Sequence, residues 1–292
     1  MTKVKSVFIG IIGMAMVFCF AAVNWAGDLP PDRAEVPLTD PAKPALVKVS
    51  VHKGNIFVSG YNGKNIVVEA AVDTAWQDKH KEIIMENLKE IKEEKPKNTA
   101  GMHVIKNNST GLSIEEESNI VKIRTDSISR KVDVVIKVPF KTSLKLKGFD
   151  AGEIKVENVE GELEVTHHNG SLTLKNVSGT VVANTFNGGV TVTFDTVNLA
   201  RPMSFSSFNG DIDVTFPKSA KFNLKLKTDQ GQIYSDFKLQ MQSTPTAVKK
   251  PERKEGKYIV KFDKIVYGLL NGGGEEIKFK TFNGSIYIRE KK

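Results

Sequence analysis

Five glycines recur at a nine-residue interval, Gly152, Gly161, Gly170, Gly179 and Gly188, and each is followed by a short run in which every second residue is apolar. The apolar pairs are Ile154/Val156, Leu163/Val165, Leu172/Leu174, Val181/Ala183 and Val190/Val192. Alternation with a period of two belongs to a strand with one buried face. A fixed period that joins such strands at glycines marks a repeat architecture, in which each unit buries its apolar face against its neighbours. The feature constrains the shape of the chain more tightly than its chemistry.

A second column runs through the same region: hydroxyl residue, any residue, amide residue, glycine. It reads Thr185-Phe186-Asn187-Gly188, Ser207-Phe208-Asn209-Gly210, Thr228-Asp229-Gln230-Gly231 and Thr281-Phe282-Asn283-Gly284, with His167-His168-Asn169-Gly170 placing histidine in the hydroxyl slot. Asn-Gly is also a favoured two-residue hairpin turn, so an antiparallel meander competes for these residues. Hairpins, however, give no reason for glycine every nine residues, whereas amides recurring once per coil can stack as a ladder between parallel coils. The expected fold is all-β: a single-stranded β-solenoid of roughly 18–22-residue coils, two short strands to each, with one amphipathic helix inserted near the N-terminal end. Asn169, Asn187, Asn209, Gln230 and Asn283 then form a turn ladder with Gly170, Gly188, Gly210, Gly231 and Gly284. Alternation sends Thr185, Ser207, Thr228 and Thr281 inward, and Phe186, Phe208, Phe282 and His168 outward.

The rest of the chain divides by composition. Lys3 and Lys5 precede an apolar run, so residues 1–26 read as a signal peptide or an N-terminal anchor. If uncleaved, residues 7–26 are long enough to span a bilayer, and they are the expected membrane contact. Residues 27–45 hold Pro30, Pro31, Pro37, Pro41 and Pro44 and read as a Pro-rich tether. Residues 46–139 form an N-terminal β region interrupted at about 78–95, where Ile84, Leu88 and Ile91 fall at helical spacing. Its Ile84/Leu88/Ile91 face is expected to pack over the N-terminal strands as a cap or flank. Residues 140–292 carry the repeat solenoid, with a basic loop inserted at about 240–257 and a closing strand pair at Ile277/Phe279 and Ile286/Ile288.

Thr281-Phe282-Asn283-Gly284-Ser285-Ile286-Tyr287-Ile288, the repeated Thr-x-Asn-Gly turns, and Val138-Pro139 just ahead of the repeats resemble a bacterial family of candidate-adhesin β-solenoids. More distantly they resemble the head domains of autotransporter adhesins. The resemblance covers roughly Leu46 to Ile288 and departs from the pattern at the 78–95 helix and the 240–257 insertion. It implies an envelope protein that displays side chains from a stiff rod.

Several function classes find no support in these residues. Cys19, the only cysteine, lies in the leader, which leaves no thiol chemistry beyond it. His167 and His168 are adjacent on a strand and point to opposite faces, while His52, His80 and His103 lack partners at ligand spacing, so no metal or other cofactor is expected. Gly272-Gly273-Gly274 is followed by Glu275 and Glu276 and not by Lys-Ser/Thr, and it reads as a turn. A net charge of +8 is spread along strands, with no recognition helix or zinc spacing that would indicate nucleic acid. The expectation is an exported, non-enzymatic adhesion or scaffold module, periplasmic, surface-bound or secreted. The outward column of Phe186, Phe208, Phe282 and His168 would meet a glycan or another envelope component, for instance by stacking on sugar rings. Two alternatives stand beside it: a polysaccharide-processing β-helix enzyme, which needs paired carboxylates, and a self-assembling structural protein.

Overall fold

The structure, a computed structural model, describes residues 32–73, 110–126, 128–150, 152–198, 201–242, 248–254, 257–262 and 265–292, with the backbone alone at 248–254 and 257–262. In chain order the strands are β1 (Asp32–Pro37), β2 (Ala45–Lys53), β3 (Ile56–Tyr61), β4 (Asn65–Val72), β5 (Leu112–Glu117), β6 (Ile120–Thr125), β7 (Val132–Pro139) and β8 (Thr142–Asp150). The repeat follows with β9 (Ile154–Glu157), β10 (Glu160–Asn169), β11 (Leu172–Asn187), β12 (Val190–Val197), β13 (Met203–Asn209), β14 (Ile212–Phe216) and β15 (Phe222–Thr228). The last are β16 (Ile233–Ser235), β17 (Gln240–Met241), β18 (Val248–Lys254), β19 (Lys257–Phe262), β20 (Ile265–Leu270), β21 (Glu276–Thr281) and β22 (Ile286–Glu290).

The strands wind as parallel coils. Leu163 pairs with Val181 and Leu172 with Val190, each eighteen residues on, in parallel register. The antiparallel meander is thereby excluded for the repeat. Two faces result. The first stacks β6, β2, β8, β10, the second half of β11, β13, β21 and β15 in parallel. The second stacks β7, β3, β9, the first half of β11, β12, β14, β22 and β16. β11 belongs to both because it turns a corner at a bulge between Leu174 and Ser178, with Asn176 in the left-handed region at φ 51°.

The glycines explain the period. A β-carbon on Gly170 would lie 2.0 Å from the Gly152 carbonyl oxygen, and one on Gly188 would lie 2.3 Å from that of Gly170. These mark one corner. Gly179 stands over Gly161 in the same way at the other, so nine residues are half a coil and eighteen a whole one. Between the faces lies one continuous core running from Leu38 to Ile288. Val, Ile and Leu fill the eighteen-residue coils. Where coils lengthen to about 22 residues, the core becomes aromatic, with Phe205–Phe279 centroids at 4.9 Å and Phe216–Phe222 at 4.6 Å.

Several expectations are corrected. The N-terminal β region joins the same stack, since β2 pairs with β8 from Ala45 to Lys53 and both share its core. Part of the expected tether is ordered sheet: β1 pairs antiparallel with β4, Leu38 is buried, and Asp40 exchanges hydrogen bonds of 2.7 and 2.6 Å with the Asn119 side chain. Within the basic insertion, β18 and β19 form an antiparallel hairpin where a loop was expected. The pair that closes the chain lies inside the stack. β21 lies between β13 and β15, and β22 between β14 and β16. The N-terminal end mirrors this, with β2 inserted between β6 and β8. The helix expected at 78–95 lies outside the described residues, as do the leader and anchor at 1–26. Among the described residues, antiparallel strands flank the ends: β5 on β6, β4 and β1 beyond β7, and β20 and β17 beyond β15.

Candidate functional site

The Thr-x-Asn-Gly motif builds three parallel columns along one margin of the first face. Innermost are the hydroxyls, each donating to a glycine carbonyl one coil away: Thr185 Oγ1 to Gly170 at 2.9 Å, Ser207 Oγ to Gly188 at 2.8 Å, Thr281 Oγ1 to Gly210 at 2.9 Å and Thr228 Oγ1 to Gly284 at 2.7 Å. The turn itself carries the amide ladder. Asn187 Nδ2 donates to Asn169 Oδ1, Asn209 Nδ2 to Asn187 Oδ1 and Asn283 Nδ2 to Asn209 Oδ1, all at 2.7 Å. Asp150 extends it at one end, accepting from Asn169 at 3.5 Å. Gln230 joins through its backbone, its N–H donating to Phe282 O at 2.9 Å. Like side chains stacked at the strand spacing satisfy each other's donors and acceptors, and so fix the register of every coil they cross.

Outermost is a continuous column of rings. His52 stacks on Phe149 at 5.0 Å, Phe149 on His168 at 5.0 Å, His168 on Phe186 at 5.1 Å, Phe186 on Phe208 at 4.9 Å and Phe208 on Phe282 at 4.9 Å. From Phe149 onward the interplanar angles are 8° or less. Phe149, Phe186, Phe208 and Phe282 are 49%, 43%, 41% and 40% exposed and His168 is exposed between them, so the column is open to solvent from Phe149 onward, with His52 half-buried at its end. The sequence reading places Phe186, Phe208, Phe282 and His168 together, and the structure adds His52 and Phe149. Phe149 was readable in principle: Gly148-Phe149-Asp150 precedes His167-His168-Asn169 by nineteen residues, with aspartate in the amide slot.

Stacking changes what this surface can do. Each ring's faces are occupied by its neighbours, so solvent meets ring edges, where the hydrogen atoms make the quadrupole positive. A sugar ring therefore cannot lie flat on an interior rung, contrary to the stacking expected from the sequence. Beside the rings, two residues back along each strand, runs a polar row, Ser50, Lys147, Thr166, Asn184 and Ser206, which is held in register by strand pairing. Ser206 Oγ donates to Asn184 Oδ1 at 2.6 Å. Lys48, Lys122, Arg124 and Lys145 lie on the same outer face towards one end, and Lys225, Lys278 and Lys280 towards the other. At the first end, rings and polar row line a groove of about 830 Å³, rimmed by the exposed Ile128.

His167 and His168 diverge as their adjacency requires. His168 is in the ring column, whereas His167 is 1% exposed in the hydroxyl column, with both ring nitrogens unpaired. Its ring occupies the space that a side chain on Gly148 would need, with Cδ2 2.7 Å from that β-carbon position. Burial depresses its pKa below the ordinary 6.5; Asp150 opposes the shift and His168 adds to it. Among the described residues, no group of three or more His, Cys, Asp or Glu side chains is placed to hold a metal ion.

A solenoid-like all-β chain with a ring-edged face is the class these observations define. Residues 143–263 match the family model described as Toastrack DUF4097. No curated protein matches the chain. Among solved structures it is similar to a candidate cell adhesion protein from Clostridium sporogenes ATCC 15579, at 16% identity over 89% of this chain and 100% of that one, with a TM-score of 0.42. It is also similar to a candidate adhesin from Bacteroides fragilis NCTC 9343, at 10% identity over 91% and 99% of the two chains, TM-score 0.28. A third is a candidate lipid binding protein from Parabacteroides distasonis ATCC 8503, at 11% identity over 91% and 98%, TM-score 0.25. None of these matches shows a relationship to autotransporter-adhesin heads.

Proposed function

We propose that this protein is a non-enzymatic, exported module of the bacterial envelope, acting in adhesion or as a scaffold, and that it binds through the outer margin of its first face. The observation that carries the reading is the column of six rings, His52 to Phe282, exposed from Phe149 onward. Buried rings would need no further explanation, but a row of apolar edges in water is a solubility burden unless something covers it. The stack holds the rings rigid, so little side-chain entropy is lost when a partner binds. Export rests on the basic-then-apolar residues 1–26.

The catalytic alternative is weaker on geometric grounds. Asp126 and Glu164 both line the groove, but β6 and β10 are three strands apart, about 14 Å at the usual strand spacing. Glycosidase carboxylates stand about 5–9.5 Å apart. Glu164 is also engaged by Lys145 Nζ at 2.7 Å.

Sedimentation of the purified protein with isolated envelope fractions tests the reading. Replacing Phe149, Phe186 and Phe208 together by alanine is expected to weaken co-sedimentation about tenfold or more, with the far-ultraviolet spectrum unchanged. Undiminished binding by a folded triple variant would remove the ring column from the mechanism. Turnover of a polysaccharide that disappears in an Asp126→Asn, Glu164→Gln variant would replace the reading with the catalytic one.

A further inference from the structure

Resting on that reading, we infer that the groove at the β6 end of the ring column binds an acidic polysaccharide chain. One wall is the ring edges of His52, Phe149, His168 and Phe186; the floor is Ser50, Lys147, Thr166 and Asn184, one polar group per coil. A hydroxyl, ammonium or amide repeated at the strand spacing of about 4.8 Å suits an extended polymer of hydroxylated units better than a compact molecule. The volume of about 830 Å³ is within the range of ligand sites and is enough for a few such units.

Charge selects the class. Lys147 projects from the floor with no ion-pair partner among the described residues, and Arg124 stands at the mouth, 3.9 Å from Glu115. Of the two acids lining the groove, Glu164 is neutralised by Lys145, and Asp126 stands two residues beyond Arg124 at the β6 end, away from Lys147 on β8. The ring edges add a positive border. Nucleic acid fits less well, because its bases bind by stacking on aromatic faces, and here those faces are taken. A lipid surface is flat and would bridge the recess without filling it.

Titration calorimetry of the full-length protein with polygalacturonate, neutral dextran and phosphatidylglycerol vesicles decides the matter. Polygalacturonate is expected to bind, Lys147→Glu to weaken it about tenfold, and Lys155→Glu on the opposite face to leave it unchanged. Added salt should weaken the wild type more than the Lys147→Glu protein. Equal losses in the two variants would reduce the effect to diffuse charge and overturn the assignment. Dextran binding as tightly as polygalacturonate would overturn the acidic class. Vesicle binding that depends on Lys147, without polygalacturonate binding, would make the site a lipid-surface site. If no probe binds yet envelope fractions still sediment with the protein in a ring-dependent way, this inference fails while the envelope-module reading stands.

Discussion

Each position of the Thr-x-Asn-Gly unit has one physical task, and departures from the unit show what the task demands. A short hydroxyl in the first slot reaches the glycine carbonyl one coil away. His167 cannot, and it lies over Gly148 with both nitrogens unpaired. Its depressed pKa has a definite consequence for stability. The unfolded chain takes up a proton near the ordinary 6.5 while the folded chain still excludes it, so stability is retained above that pH and falls as the solution is acidified below it. Urea midpoints measured from pH 8 to pH 5 should therefore decline in the wild type and decline less in His167→Thr; parallel curves would refute the assignment. The glycine slot offers a second test. Gly188 combines φ 150° with a carbonyl oxygen 2.3 Å from any added β-carbon, whereas Gly272, at φ 92°, has nothing within 4 Å. Gly188→Ala is expected to cost about 3 kcal/mol or more, and Gly272→Ala about 1 kcal/mol, read from thermal melts. Comparable losses would mean that close approach is not what fixes the period.

Among the elements, the unusual ones are the last strands of the chain. In a simple solenoid the terminal coil frays, having a neighbour on one side only. β21 has a parallel neighbour on both sides, and its Phe279 packs on Phe205 from β13. Native-state hydrogen exchange should therefore find the amides of Ile277–Lys280 protected to about the same degree as those of Leu172–Leu174 in the middle of the stack. Rapid exchange at β21 would contradict the inserted position. The motif marks this pair as a repeat unit, from Thr281, Asn283 and Gly284, and as the last of the chain, but not its place in the stack. Nothing in the motif could have given that place, because Asn283 satisfies Asn209 with the same atoms that Asn209 offers to Asn187. Interfaces built from one repeated unit are interchangeable. Phe149 and His52 escaped notice for a related reason: their coils lack the Asn-Gly pair, and for His52 only strand pairing brings it into the column.

For the molecule as a whole, stacking produces two faces of different character and two ends that need cover. The first face carries the rings and most of the clustered lysines; the second interleaves Glu157, Asp213 and Glu153 with Lys155 and Arg289. The ends are closed by devices that oppose edge-to-edge association. β5 carries Glu115, Glu116 and Glu117, β1 ends in Pro37, and β16 is three residues long. Among the described residues, antiparallel strands flank the ends, β5 on β6 and β20 on β15. What the amino-acid order determined alone is local: strand period, which side chains face in or out, and which residues share a column. These follow from backbone geometry repeated every nine residues. Which coil rests on which, and hence that six rings from six separate coils line up beside one groove, was decided by tertiary structure. Equivalent columns leave the stacking order degenerate until short connections and core volume select among arrangements that the motif satisfies equally well.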